Sequence, residues 1–512
     1  MSKFTVTTAI AYVNAKPHIG FAFELLAADV LARYHRLKGV EVRFVTGTDE
    51  HGTKIARAAK KAGKQPKEFS AEISQSYCEL VNTLSISADE FVRTSEETHK
   101  KVAQEIWKRA DATGDIYKKK YKGLYCVGCE AFLAPSEIRK ADEAGGKAGT
   151  CCIHGTKPEL VEEENYFFAL SRYTSWLKQY LDEHKQFVQP VGRFNEIYAL
   201  VERGLEDVSI SRPKAKLSWG VEVPGDPEHV MYVWFDALTN YLTGCGFLQD
   251  TPTFERLWPA DVQIIGKEIL RFHAALWPAM LKSARLALPH RIYSHGHIRV
   301  EGRKMSKSLG NVVDPFAVVN KYGLEAFRYF LLAEIPFADD GNYSESRLVE
   351  RHNSELANGI GNLVARVTTM TQKFAESKVP QAKPDRHYIE QAEQFIHEYD
   401  AAIEELRFHD AISALNRFVT WANQFVDVSK PWILAKSDPK KLASVLRTLL
   451  ESVKLVGLHL QPIIPATAER IVGVFELERG TLVEQRAGPL HPGSSVARPE
   501  NLFVKIEAAN TP

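Results

Sequence analysis

Six cysteines in 512 residues, at positions 78, 126, 129, 151, 152 and 245, are too few and too clustered for the disulfide framework of a secreted protein. Charge of neither sign dominates: 65 Lys and Arg stand against 64 Asp and Glu, a formal net charge of +1. No global basic field therefore draws the chain to nucleic acid, and any RNA contact has to come from local patches and stacking. No apolar run approaches the roughly 18 residues of a membrane span, and 1–14 carries no secretory-signal pattern. These absences predict a reduced, cytoplasmic protein with no membrane partner. The Gly-Lys pairs at 63, 146 and 266 lack the hydroxyl residue that completes a phosphate-binding P-loop, which excludes that mechanism. Internal repeats are missing too. With 45% hydrophobic and 25% charged residues, the chain has the composition of a globular protein, and its length implies roughly three domains.

The chain opens with a β-branched apolar run at 4–9, a turn marked by Asn14, Pro17 and Gly20, an amphipathic helical pattern at 21–37, and a second strand pattern at 40–46 that ends in GTDEHG at 47–52. Strand, turn, helix and strand make a parallel βαβ unit. Its first turn lies at the carboxyl edge of a sheet beside a helix N-terminus, where free N–H groups and the helix dipole favour an anion. His18-Ile19-Gly20-Phe21 occupies that turn. Far downstream, Gly302–Asn311 reads GRKMSKSLGN, with Arg303, Lys304 and Lys307 set among Ser306, Ser308 and two glycines. Such a loop cannot bury itself, but it can wrap a polyanion with ammonium groups, hydroxyls and backbone N–H donors.

Cys126-x2-Cys129 and Cys151-x2-His154 bracket a segment poor in apolar residues. Together they supply the four N/S ligands of a closed structural zinc site, with Cys152 an alternative to Cys151. Beyond them, 165–212 reads as helices carrying aromatics, 229–237 as a buried strand, 268–281 as a helix and 291–294 as a strand leading to the basic loop. From 314 onward the helical period dominates until 501–506, which alternates like a strand.

The two phosphate-handling stretches, His18–Phe21 and Lys304–Ser308, resemble the paired motifs of class I aminoacyl-tRNA synthetases, with Phe21 standing where that class usually has a second histidine. Further stretches (10–14, Asp49 within GTDEHG, 232–237 with Tyr241, and GKEILRFH at 266–273) make the chain similar to the methionyl-tRNA synthetase family over essentially its whole length. The resemblance implies an α/β fold: a Rossmann-type parallel-sheet nucleotide-binding domain split by a zinc-knuckle insertion, then an all-α helical bundle. The implied boundaries are 1–115 and 229–295 for the two halves of the catalytic domain, 116–228 for the insertion, 296–348 for the basic loop and link, and 349–512 for the anticodon-binding bundle. The insertion is shorter than the editing modules of related synthetases, whose apolar slots need a second sieve.

The implied reaction activates L-methionine with ATP to methionyl-adenylate and transfers it to the 3′ end of tRNA(Met); a non-catalytic RNA-binding descendant of a synthetase is the rival reading. Carried over residue by residue, His18, Lys304 and Lys307 would be catalytic. Asn14, His18, Gly20, His297, Lys304, Ser306, Lys307 and Ser308 would bind ATP with Mg²⁺. Asp49 would take the methionine ammonium, and Ile10, Tyr12, Trp234, Ala237, Tyr241, Ile269 and His273 would line a thioether slot. One Zn²⁺ would sit on Cys126, Cys129, Cys151 and His154, while Asn362, Arg366 and Trp432 would read the CAU anticodon by edge hydrogen bonds and stacking. The chain ends without the C-terminal RNA-binding module by which longer relatives dimerise, which predicts a monomer.

Overall fold

A computed structural model describes residues 2–128, 130–133, 138–139, 149–152, 155–305, 310–477 and 479–507. Its centre is a seven-stranded, all-parallel sheet in the order Ala11–Tyr12, Glu41–Asp49, Lys3–Thr8, Val262–Gly266, Ile292–His295, Val188–Gln189, with Glu90–Arg93 also on Glu41–Asp49. Lys3–Thr8 is buried along nearly its whole length, which is why it reads as a continuous β-branched run with no alternation. The strand order reverses between Lys3–Thr8 and Val262–Gly266. In open parallel sheets the crevice outside such a reversal, at the carboxyl ends of the strands, is where ligands bind.

Helix α1 (Ile19–Leu37) follows the first strand and is buried on nearly every side, including the charged Glu24 and Asp29. Its outer face is covered by the helix Leu324–Glu334, so the amphipathic pattern seen in sequence runs between two packed layers and not between protein and water. One buried ion pair joins those layers. Arg328, fully buried, donates Nη2 to Asp29 at 2.7 Å, Nη1 to Leu84 O at 2.8 Å, and Nε to Ile463 O at 2.8 Å. Asp29 also accepts from Ser87 N–H and from Arg33. Burial alone raises the Asp29 pKa, but Arg328 and Arg33 outweigh it and hold the carboxyl below its usual range, so its contribution to stability is lost as pH falls through that lowered value. Asp29→Ala leaves the guanidinium buried and unpaired. It is expected to cost about 3–5 kcal/mol in urea unfolding, part of which returns in the Asp29→Ala/Arg328→Met double variant.

Several elements differ from the sequence reading. Residues 165–168 of the expected aromatic helices belong to the strand Glu159–Phe168, paired antiparallel along Ile116–Cys126, and the first α-helix of that stretch begins only at Thr174. The expected strand at 229–237 ends at Met231 and continues as the short helix Val233–Ala237. Its strand portion joins a small antiparallel sheet outside the parallel one. An apolar run buried on all sides has no period to separate the two states. The helix expected over 268–281 is broken into a 3₁₀ turn, a π-helical stretch Phe272–Leu276 and the α-helix Trp277–Ser283. Val188–Gln189, within 116–228, adds an edge to the catalytic sheet, while 501–506 forms no strand. From Glu345 onward the described chain forms helices and their connecting segments, with isolated bridges in place of strands and with Phe408–Ser429 and Pro439–Leu460 the longest helices.

Candidate active site

At the crevice, Ala9 N–H donates to Ile264 O, and Ile10 lies half-buried where the chain leaves the sheet. Tyr12 is opposite Asp49 in the strand register, and Val13 N–H donates to Asp49 O at 3.1 Å. The Asp49 carboxylate is nine-tenths buried. Among the described residues the one hydrogen bond to its side chain comes from His51 N–H, at a long 3.4 Å. Burial first, and then the nearby Asp236, Glu130 and Glu50, push its pKa well above the usual range. Those neighbouring carboxylates are satisfied. Asp236 accepts from His51 Nδ1 and His99 Nε2, both at 2.7 Å, and is held down to about 2 against the opposing effect of burial. Glu50 accepts two bonds from Arg93, at 2.7 and 3.2 Å. Among the described residues Asp49 is thus the acid of this cluster with the poorest hydrogen bonding, one long bond against three for Glu130, and a cation arriving from the crevice would relieve it.

Beside it lies an aromatic slot. Trp234 stacks on Phe272 with ring centres 4.2 Å apart and meets the edge of His273 at 6.0 Å. His273 donates from Nδ1 to Ile269 O at 3.1 Å and accepts at Nε2 from the Tyr241 hydroxyl at 2.7 Å. Burial pushes the His273 pKa down to about 4, so the imidazole is neutral at physiological pH and the slot carries no charge. The π-helical turn begins one residue before His273. It is the kind of local irregularity that re-aims side chains at functional positions and that no sequence period reports. Ala237 is buried, and Tyr12 packs from the rim against the same apolar cluster as Trp234 and Tyr241.

On the other side of the crevice, His18 caps α1: its Nδ1 accepts from Gly20 N–H at 3.1 Å, which assigns the ring proton to Nε2. Capping and phosphate donation are therefore compatible roles, not alternatives. Phe21 packs edge-on against Tyr77 with centres 5.1 Å apart, so the position that departs from the motif serves the core. Ile19 N–H donates to Val313 O at 3.2 Å, which ties the segment following the basic loop to the first turn of α1. The loop's other end is fixed by the antiparallel pairing of Arg303 and Lys304 with Val300 and Arg299. The Lys304 side chain and all of Ser306, Lys307 and Ser308 lie outside the described residues. His297 donates Nε2–H to Glu268 at 2.6 Å, while its backbone N–H and Lys267 both reach Asp340. Gly296 lets this turn form, because a Cβ there would fall 2.0 Å from Asp339 O. Asn14 is exposed at the mouth.

Of the expected zinc ligands, Cys126 and Cys151 are buried in one small cluster with Leu133, and Cys152 is half-buried. Cys129 and His154 lie outside the described residues, and among the described residues no group of three metal ligands forms. Two thiols buried in one cluster, one from a strand end and one from an isolated bridge, fit the donor set of a zinc knuckle. In the bundle, Asn362 donates to Asn423 at 3.1 Å and Arg366 pairs with Asp427 at 2.5 Å, as two rungs between neighbouring helices. Trp432, 46% exposed, opens the helix Pro431–Ser437 a short way past Asp427.

Two site residues escaped the sequence reading. Arg212 is buried against the faces of Tyr125, Phe132 and Tyr232 at 4.9–5.1 Å, and among the described residues its hydrogen bonds go only to Ser209 and Ser211. Glu130 reaches the slot from the insertion, accepting from Tyr12. An isolated arginine before a proline and a glutamate after a cysteine carry no sequence signal of such placement.

Comparison with known proteins adds a consistent set of relatives. The family described as "tRNA synthetases class I (M)" matches residues 4–368, and "Anticodon binding domain of methionyl tRNA ligase" matches 377–511. The chain is 42% identical over 515 residues to a methionine–tRNA ligase of Brucella suis, covering 99% of both, and 43% identical to that of Thermotoga maritima, covering 99% of this chain and 81% of the other. The structure of Mycobacterium tuberculosis methionyl-tRNA synthetase in complex with methionyl-adenylate matches with a TM-score of 0.93 at 40% identity over 98% of this chain and all of that one. The apo form of that enzyme matches with a TM-score of 0.87 at 37% identity, over 99% of each chain.

Proposed function

This chain belongs to the class I methionyl-tRNA synthetase family and is an ATP-dependent methionine–tRNA ligase; from that premise we propose which of its residues perform each step. The observation that carries the amino-acid side is the Asp49 carboxylate, buried and short of a cation. It takes the α-ammonium of methionine, while the thioether enters the slot of Ile10, Tyr12, Trp234, Ala237, Tyr241, Ile269 and His273. A neutral His273, already bonded to Tyr241, offers a polarizable sulfur aromatic edges and faces and no charge. Charged side chains are rejected by desolvation.

ATP lies along the first turn of α1, with Asn14, Gly20 and His297 around the nucleoside and its phosphates. His18 Nε2–H, Lys304, Ser306, Lys307 and Ser308 face the triphosphate. The methionine carboxylate attacks the α-phosphorus, the bond from that phosphorus to the α,β-bridging oxygen breaks, and pyrophosphate leaves. No protein nucleophile is needed, because alignment and neutralisation of the leaving charge supply the rate. Mg²⁺ bound with ATP would add neutralising charge there. The terminal adenosine hydroxyl of tRNA(Met) then attacks the carbonyl of the adenylate and releases AMP. Asn362, Arg366 and Trp432 read the CAU anticodon, two by edge hydrogen bonds and one by stacking. Cys126, Cys129, Cys151 and His154 would hold a Zn²⁺ whose chemistry is structural cross-linking of the insertion.

ATP–pyrophosphate exchange with each of the twenty amino acids tests this reading. Exchange is expected with methionine and with no other amino acid at comparable concentration. Retention of tRNA binding with no exchange would leave a non-catalytic RNA-binding protein.

A further inference from the structure

Glu130 belongs to the insertion, yet its carboxylate is buried in the catalytic domain with only 4% of the residue exposed. Its Oε1 accepts from the Tyr12 hydroxyl at 3.0 Å and from Lys54 N–H at 2.6 Å, and its Oε2 accepts from the Tyr125 hydroxyl at 2.7 Å. The backbone is in the left-handed region at φ 52°, a conformation that a non-glycine residue holds at some cost when the surroundings require it. Its partners lie on both sides of Asp49. Tyr12 is opposite Asp49 in the register, and Lys54 sits in the first turn of the helix Thr53–Lys61, directly after the short loop that follows Asp49. The space between them is tight: a Cβ on Gly52 would come within 2.5 Å of the Tyr12 hydroxyl and 3.4 Å of Val233. A single carboxylate therefore joins the phenol at the slot's rim to the start of the helix that follows Asp49.

We infer that Glu130 is a positioning residue for methionine, through which the knuckle insertion sets the separation between Tyr12 and Asp49. The inference rests on the assignment of Tyr12 and Asp49 to the amino-acid pocket. A charge-assisted hydrogen bond that fixes a substrate-lining side chain acts on binding of that substrate and leaves the nucleotide side alone.

The test is a double-variant cycle in the full-length enzyme, read by exchange kinetics. Glu130→Gln keeps the volume and one acceptor, and is expected to raise KM for methionine about tenfold with KM for ATP and kcat little changed. In a Tyr12→Phe background, where there is no hydroxyl to hold, the same replacement is expected to change KM for methionine by less than about twofold. An unchanged KM for methionine in Glu130→Gln would overturn the inference. So would an effect of equal size in both backgrounds, or equal losses in methionine and ATP parameters accompanied by a lowered melting temperature, which is the signature of a merely structural residue. Tyr12→Ala separates the two levels: if it leaves KM for methionine unmoved, the pocket assignment fails and this inference fails with it.

Discussion

Asp49→Asn is expected to lower kcat/KM for methionine in adenylate formation while making the free protein more stable. The substitution keeps the shape and one acceptor oxygen but removes the charge that answers the substrate ammonium. Leaving that ammonium buried and unpaired costs about 3–5 kcal/mol, or roughly a hundred- to several-thousand-fold. KM for ATP should stay within a factor of a few, since the Asp49 side chain is bonded to His51 and to none of the described residues assigned to ATP. The stability gain follows from the same burial. In the free enzyme the Asp49 pKa lies above its unfolded value because burial, Asp236, Glu130 and Glu50 all disfavour the charge. Its contribution to stability is therefore complete below the unfolded pKa and is lost as pH rises through the folded one. Asparagine does not titrate, so the variant's advantage in melting temperature should widen from acid to neutral pH. Saturating methionine should reverse the ranking, because only the wild-type site gains from the ligand. A variant with normal methionine kinetics, or one less stable than wild type at neutral pH, would remove Asp49 from the ammonium site.

How far the sequence discloses this arrangement depends on whether a residue's role is local or supplied from elsewhere. His18 and Gly20 are legible because strand, turn and helix follow one another within about twenty residues and force the motif to a sheet edge. Asp49 is legible for the same reason, as the last residue of its strand. The run 229–237 is not, since its later half is buried on all sides as the helix Val233–Ala237 and an apolar run carries no period there. The break at Phe272–Leu276 is invisible because every residue in it is buried whichever turn type is adopted. Asp29 falls on the buried surface of α1 only because the helix Leu324–Glu334, some three hundred residues later, closes over it and Arg328 answers it, while Glu24 is buried against His295 of the distant strand Ile292–His295. Glu130 and Arg212 are harder still. Each acts across more than eighty residues of separation, on Tyr12 in one case and on Tyr125 in the other, and neither belongs to a spaced motif.

Lys307→Ala is expected to slow methionyl-adenylate formation by about a hundred- to a thousand-fold, the usual cost of losing one preorganised charge at a developing anion. Gly302–Asn311 holds three cations within five residues (Arg303, Lys304 and Lys307), and a loop that cannot bury itself gains nothing from them without an anionic ligand. Both of its described flanks are anchored. Arg303 and Lys304 pair with Val300 and Arg299, and Val313 O accepts from Ile19 N–H beside the His18 cap. The second of these anchors lies at the helix terminus where phosphate is favoured by the dipole and the first-turn N–H groups. An ammonium acting on the leaving pyrophosphate stabilises charge that is larger in the transition state than in bound ATP. The loss should therefore appear in kcat for pyrophosphate exchange, with the dissociation constant of methionine, measured by fluorescence or calorimetry, nearly unchanged. His18→Ala should show the same pattern at the other end of the triphosphate. The double variant should fall short of the product of the two single losses, because both groups neutralise the same developing charge. Near-normal exchange in Lys307→Ala, or a loss confined to KM for methionine, would mean that the loop binds an anion other than the triphosphate of ATP.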